Sequence, residues 1–163
     1  QAGNEIDCRS LYEKALKHDY TERFIGDIKT PVKYATPGLR SMLARVDKSL
    51  TENFIQSEIP AEFRAAYERR FAEGKDDTLE GKILAVADKI DLMYESFGEI
   101  QKGNPEPVYM DIYKSSLTAI MDFRDMASVQ YFLKKILPEL LKDNADGNAK
   151  NQLAIITTQI IQQ

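Results

Sequence analysis

The sequence predicts an all-α fold, and three observations predict it. Apolar residues recur at three- and four-residue spacing over several long stretches. Cap and stop signals such as Ser10, Gly26, Pro37, Pro60, Gly74 and Gly103 punctuate those stretches. No stretch alternates apolar and polar residues as a half-buried strand does.

The first helix is expected from Leu11 to about Ile25. Ser10 and Glu13 have the spacing of a capping box, and Gly26 is a natural stop. Thr36-Pro37 then opens a second helix with proline at its first position. Its stripe is Leu39, Leu43, Val46, Leu50 and Phe54. Ile59-Pro60 opens a third helix that ends near Gly74. Asp77 and Glu80 repeat the cap spacing before a long fourth helix, whose stripe is Ile83, Val86, Ile90, Met93 and Phe97. That helix stops near Gly103-Asn104-Pro105. A fifth runs from Val108 to Phe123. A sixth starts near Ser128 and meets Pro138, which should kink or divide it. From Asp143 the chain is polar until Leu153, and the β-branched segment Leu153–Ile161 has no clear assignment.

Composition bounds the rest. The length of 163 residues fits one domain, with 43% hydrophobic residues for a core and 29% charged residues for a solvated surface. We expect residues 10–142 to form that core and 143–163 to form a C-terminal tail. With 22 basic and 26 acidic residues the formal charge is -4, so the footprint of a general nucleic-acid binder is missing. A small anionic ligand stays possible, because one metal ion reverses a local field. A single cysteine, Cys8, cannot form an intrachain disulfide and fits a reducing compartment. No apolar run approaches the ~20 residues of a membrane span.

The chemistry concentrates at two places. His18, the one histidine, precedes Asp19 on the first helix. Leu11, Tyr12, Ala15 and Leu16 form that helix's apolar arc. His18 and Asp19 lie seven residues after Leu11 and Tyr12 and continue the arc, with Glu22 one turn further. An unpaired buried carboxylate is costly, and a cation on that face removes the cost. Imidazole plus carboxylate is an ordinary ligand set for a divalent transition metal. Two blander readings stand beside this one. His18 can be a hydrogen-bonded core histidine, or Asp19 and Glu22 a solvated face paired with Lys17 and Arg23. The second place is Asp88, which interrupts the run Ile83-Leu84-Ala85-Val86-Ala87 with Leu84, Ala85 and Leu92 as its helical neighbours. Pairing with Lys89 is its bland reading. The loop Asp27, Thr30 and Lys33 offers a group for phosphate, or is simply an exposed turn.

The segment from His18-Asp19-Tyr20-Thr21-Glu22 through Gly26-Asp27-Ile28-Lys29-Thr30-Pro31-Val32-Lys33-Tyr34 resembles the HD motif of bacterial 5'-deoxynucleotidases of the HD-domain superfamily. Val86-Ala87-Asp88-Lys89-Ile90-Asp91 is similar to their second aspartate motif. Gly103-Asn104-Pro105-Glu106 and the region from Arg124 to Phe132 also look like that group. The resemblance covers roughly Leu11 to Leu141.

The resemblance implies an HD-domain helical bundle of about six helices, lacking the usual first helices. It implies that His18 and Asp19 from helix one and Asp88 from helix four hold a divalent metal ion, whether Co, Mn, Mg, Zn or Fe. Glu22 matches a glutamate that positions and activates water, and Asp27 an aspartate near the scissile ester. Thr30 and Lys33 lie in the motif as candidate substrate-binding residues. The implied substrate is a deoxyribonucleoside 5'-monophosphate, cleaved to deoxynucleoside and phosphate. The implied assembly is a homodimer in the cytoplasm, with no membrane and no nucleic-acid partner. The family pattern also has an earlier metal-ligand histidine and an Arg-Trp pair, and this sequence has neither a second histidine nor a tryptophan. The chain is then expected to be a piece of a longer hydrolase, or a degenerate, non-catalytic helical module for dimerisation or ligand sensing.

Overall fold

Asp7, not Ser10, starts the first helix: its carboxylate accepts the Ser10 N–H at 3.1 Å. This places α1 at Cys8–Lys17 in the computed structural model. The model describes residues 5–20, 22–26, 28, 30–33, 36–72, 74–143 and 148–162, with the side chains of 30, 31, 143 and 148–151 left aside. These residues divide into two compact units, 1–84 and 85–163.

In the first unit the helix expected over Leu11–Ile25 is broken. After Lys17 the chain tightens: the Tyr20 N–H donates to the Lys17 carbonyl, Glu22 to Asp19 and Arg23 to Tyr20. These three-residue closures replace the four-residue ladder. The turn lets the Tyr20 ring reach Phe54 and Phe71, with centroids at 5.2 and 5.5 Å. A short helix, α2, then covers Glu22–Ile25 and ends at Gly26, whose φ of +74° favours glycine. A second short turn, α3, covers Thr30–Lys33.

The buried face of α1 also differs from the expected one. Tyr12 and Leu16 are exposed, at 69% and 78%, whereas Lys14 is only 7% exposed. The apolar arc therefore does not face the unit's interior. The Leu11, Lys14 and His18 side of the helix is the less exposed one. Lys14 can lie there because its ammonium meets the Asp76 carboxylate at 2.6 Å. Glu13, expected in a capping box, instead pairs with Arg9 at 3.1 Å and Arg70 at 3.4 Å.

The second helix, α4, spans Leu39–Glu58 and starts two residues later than Thr36-Pro37 implied. Gly38, at φ +87°, occupies its N-cap. Next comes α5, Ala61–Ala72, which packs on both α4 and α1. Arg64 closes the α4–α5 corner by donating to the carbonyls of Ile59 at 2.9 Å and Gln56 at 2.7 Å. Those carbonyls belong to the end of α4 and have no helical partner of their own.

The long helix α6, Leu79–Gln101, contributes to both units. Its cap is Thr78, not Asp77: the Thr78 hydroxyl accepts the Gly81 N–H at 3.1 Å. In the second unit α6 brings Val86, Met93, Phe97 and Ile100 to the core. The next helix, α7, Pro107–Met121, adds Tyr113, Leu117 and Ile120.

The sixth helix is divided as Pro138 requires. Its parts are α8 at Ala127–Tyr131, a π turn at Phe132–Ile136, and α9 at Leu137–Asp143. Pro138 has no N–H and its ring crowds the carbonyl four residues back. The wider π register, seen in the Leu137 N–H bond to the Phe132 carbonyl, relieves both problems. The C-terminal segment that the sequence left unassigned, and that we expected to be a tail, forms α10, Asn148–Ile161, packed on α7. Its Leu153 is fully buried in the core. The Thr157 hydroxyl lies 2.7 Å from that of Tyr113. Among the described residues no helix is long and apolar enough to cross a membrane.

Candidate metal centre

His18 is the C-cap of α1, its N–H donating to the Lys14 carbonyl at 3.0 Å. The ring nitrogen Nδ1 lies 2.8 Å from the Ala15 carbonyl oxygen. A carbonyl only accepts, so Nδ1 carries a proton. The other ring nitrogen, Nε2, sits 2.8 Å from Asp19 Oδ2.

That separation tests whether the pair suits a cation. Two oxygen or nitrogen ligands about 2.1 Å from one ion, at right angles, lie about 3 Å apart. The observed 2.8 Å is close to such an edge. Nδ1–H on a backbone carbonyl is the support that metal-binding imidazoles commonly have. The pair supplies two donors of the kind a divalent metal takes.

His18 borders two cavities of the first unit. The smaller, about 220 Å³, is also lined by Glu22, Ile28, Lys33, Arg40 and Asp47. The larger, about 540 Å³, has Ile55 and Phe71 in its wall and Lys17, Lys48, Arg70 and Lys75 among its charged lining residues. The smaller cavity therefore holds two carboxylates and two cations around one imidazole. Carboxylates suit an ion or an attacking water, and the cations suit an anionic substrate group.

Of the residues singled out in the sequence, His18, Glu22 and Lys33 line one cavity, and Asp19 meets His18. Asp27 and the Thr30 side chain lie outside the described residues. Asp88 belongs to the second unit, on α6, with 32% of its side chain exposed and Lys89 Nζ at 3.5 Å. Among the described residues no group of three His, Cys, Asp or Glu could hold an ion. Lys17 pairs with Glu13 at 3.7 Å.

Sequence reading missed Arg40 and Asp47. Both line the small cavity with Leu43 and Ala44. The spacing 40, 43, 44, 47 is one face of a helix and was available as a signal. It was hidden because Leu43 counted toward a core stripe, and the polar members of the same face were set aside.

Residues 1–140 match the family model described as 5'-deoxynucleotidase YfbR-like. The curated 5'-deoxynucleotidase of Shewanella oneidensis is 24% identical over 136 residues, which is 83% of this chain and 68% of that protein. One from Vibrio vulnificus is 25% identical over the same shares of the two chains. One from Erwinia tasmaniensis is 27% identical over 84% of this chain and 67% of its own. A crystal structure of an HD-domain phosphohydrolase from Listeria innocua is 58% identical, with a TM-score of 0.81 over 99% of this chain and 75% of that one.

Proposed function

Since the chain belongs to the 5'-deoxynucleotidase YfbR-like family of HD-domain phosphohydrolases, we propose that it hydrolyses deoxyribonucleoside 5'-monophosphates to deoxynucleoside and phosphate. The observation that carries this reading is the His18–Asp19 pair, 2.8 Å apart, whose His18 borders the cavity that Glu22 and Lys33 also line. The alternative of a non-catalytic helical module is not favoured, since the similar proteins carry hydrolase names.

His18 and Asp19, with Asp88 as the resemblance implies, would hold the divalent ion. When bound, such an ion acidifies water and neutralises phosphate oxygens. Glu22 is the base that takes a proton from the attacking water as its oxygen bonds to phosphorus. The bond from phosphorus to the 5'-oxygen breaks, and Asp27 gives that oxygen a proton or holds the water that does. Lys33, and Arg40 beside it in the cavity lining, attract and orient the phosphate. Thr30 contributes a hydroxyl to substrate binding.

A cytoplasmic homodimer completes the reading. The free, exposed Cys8 is consistent with a reducing compartment, and the dimer is what the resemblance implies.

The test is phosphate release by the full-length protein with Co²⁺, Mn²⁺, Mg²⁺, Zn²⁺ or Fe²⁺, over deoxyribonucleoside and ribonucleoside 5'-monophosphates. We expect turnover of the deoxyribonucleotides with at least one metal and weaker turnover of the ribonucleotides. No release with any metal contradicts the proposal.

A further inference from the structure

We propose that the larger cavity of the first unit is a second anion site, in which Lys17 and Arg70 take a phosphate group distinct from the one assigned to Lys33 and Arg40. The site rests on the structure alone and goes beyond the function proposed above.

Lys14 and Lys17 stand about one turn apart on α1 and differ in their partners. The Lys14 ammonium donates to the Asp76 carboxylate at 2.6 Å. The Lys17 side chain is 18% exposed, but its Nζ is buried and has no hydrogen-bond acceptor among the described residues. An ammonium carries three N–H donors and no acceptor. A buried donor without an acceptor is rare in a folded protein, and it marks a place that an ion, water or ligand completes. The carboxylate oxygen that Lys17 approaches, Glu13 Oε2, lies at 3.7 Å, an ion-pair distance but too long for a hydrogen bond.

Glu13 does not serve Lys17 alone. The same oxygen lies 3.4 Å from Arg70 Nε, and the other oxygen accepts the Arg9 Nε–H at 3.1 Å. Three positive charges therefore share one negative charge where α1 packs on α5. Of those three cations, Lys17 and Arg70 line the large cavity and Arg9 does not. Three carboxylates line the cavity as well. Glu52 pairs with Lys48 at 3.9 Å, and neither Asp47 nor Glu68 comes within ion-pair distance of Lys17 or Arg70. The uncompensated positive charge is thus local to the Lys17–Arg70 wall.

The charge sets the sign of the ligand, and the donors set its shape. A guanidinium offers paired N–H donors that match a phosphate, and a lysine beside it adds a point charge. A volume of about 540 Å³ is in the range that holds a whole small molecule. Ile55, buried, and Phe71 give the cavity an apolar wall beside the two cations. A nucleotide satisfies both the cations and that wall, whereas free phosphate satisfies the cations only.

The experiment is calorimetry on the full-length protein, as purified and after metal is removed with a chelator. The probes are inorganic phosphate and deoxyadenosine 5'-monophosphate. Phosphate binding should be present in both preparations, since the second site needs no metal. Arg70→Met and Lys17→Met should each weaken the metal-independent binding about ten-fold, the scale of one hydrogen bond to a charged group. Glu13→Gln, which removes the competing carboxylate, should tighten it, a gain that misfolding does not produce. Arg9→Met, an equal change of charge away from the cavity, should alter it far less. If the nucleotide binds more tightly than phosphate and loses that affinity in Arg70→Met, the occupant is a nucleotide; if it binds no better, the occupant is free phosphate. An absence of phosphate binding without metal overturns the proposal. So does wild-type affinity in both folded Arg70→Met and Glu13→Gln. Nucleotide hydrolysis without this binding sinks the second site alone, and binding without hydrolysis sinks only the function above.

Discussion

His18 shows how much one side chain can report. Its two ring nitrogens have different partners, a backbone carbonyl at Nδ1 and a carboxylate at Nε2. That division of labour is what a metal-binding imidazole needs. Asp76 is the other informative residue. The Lys14 ammonium and then the Thr78 hydroxyl hold its carboxyl below the ordinary value of 3.8, and partial burial, which works the other way, does not prevail. A lowered folded-state value means that stability is present above 3.8 and is lost as pH falls below it. Acid titration of the melting temperature should therefore show wild type losing its advantage over Asp76→Asn below about pH 4. An advantage that does not shrink as pH falls below 3.8 contradicts the assignment. His18, Asp19 and Glu22 stood out in the sequence as ionisable groups continuing an apolar arc, but Tyr12 and Leu16 of that arc are exposed. Asp76 did not stand out, since its partner is 62 residues away and nothing in local spacing announces a long-range ion pair.

At the scale of elements, the stops were read more reliably than the caps and the faces. Gly26 and Gly103 do stop helices, both with positive φ. Pro138 does divide the sixth helix, through a π turn. The orientation of α1 was misread because Tyr12 and Leu16 looked like core residues, while the structure buries Lys14. Hydrophobic periodicity cannot anticipate a lysine whose ammonium is neutralised elsewhere in the unit. Two glycines of α6 give a contrasting test. At Gly81 an added Cβ meets Asp76 backbone atoms at 2.5 and 2.7 Å, whereas at Gly98 no described atom lies within 4 Å. Gly81→Ala should destabilise the protein by about 1–3 kcal/mol. Gly98→Ala should stabilise it by about 0.5–1 kcal/mol, the helix-propensity difference. Denaturant titration of both variants checks the pair, and similar shifts for the two would contradict the packing described at Gly81.

For the whole molecule, the all-α class and the sequence of helices were legible from spacing and punctuation. The role of α10 was not. Its β-branched residues left it without an assignment, yet burial of Leu153 and the Thr157–Tyr113 hydroxyl contact bring it into the second unit's core. Tertiary burial outweighs weak intrinsic propensity. Arg40 and Asp47 were missed because the cavity they line forms only when α4 lies near the turn at His18. The central claim is that His18, Asp19 and Asp88 together hold one divalent ion. Its most direct measurement is the metal content of the purified full-length protein and of Asp19→Ala and Asp88→Ala, read beside far-ultraviolet circular dichroism. The account predicts about one bound ion per chain in wild type and its loss in both variants, with helicity retained. An Asp88→Ala protein that unfolds, or that keeps its metal, contradicts it.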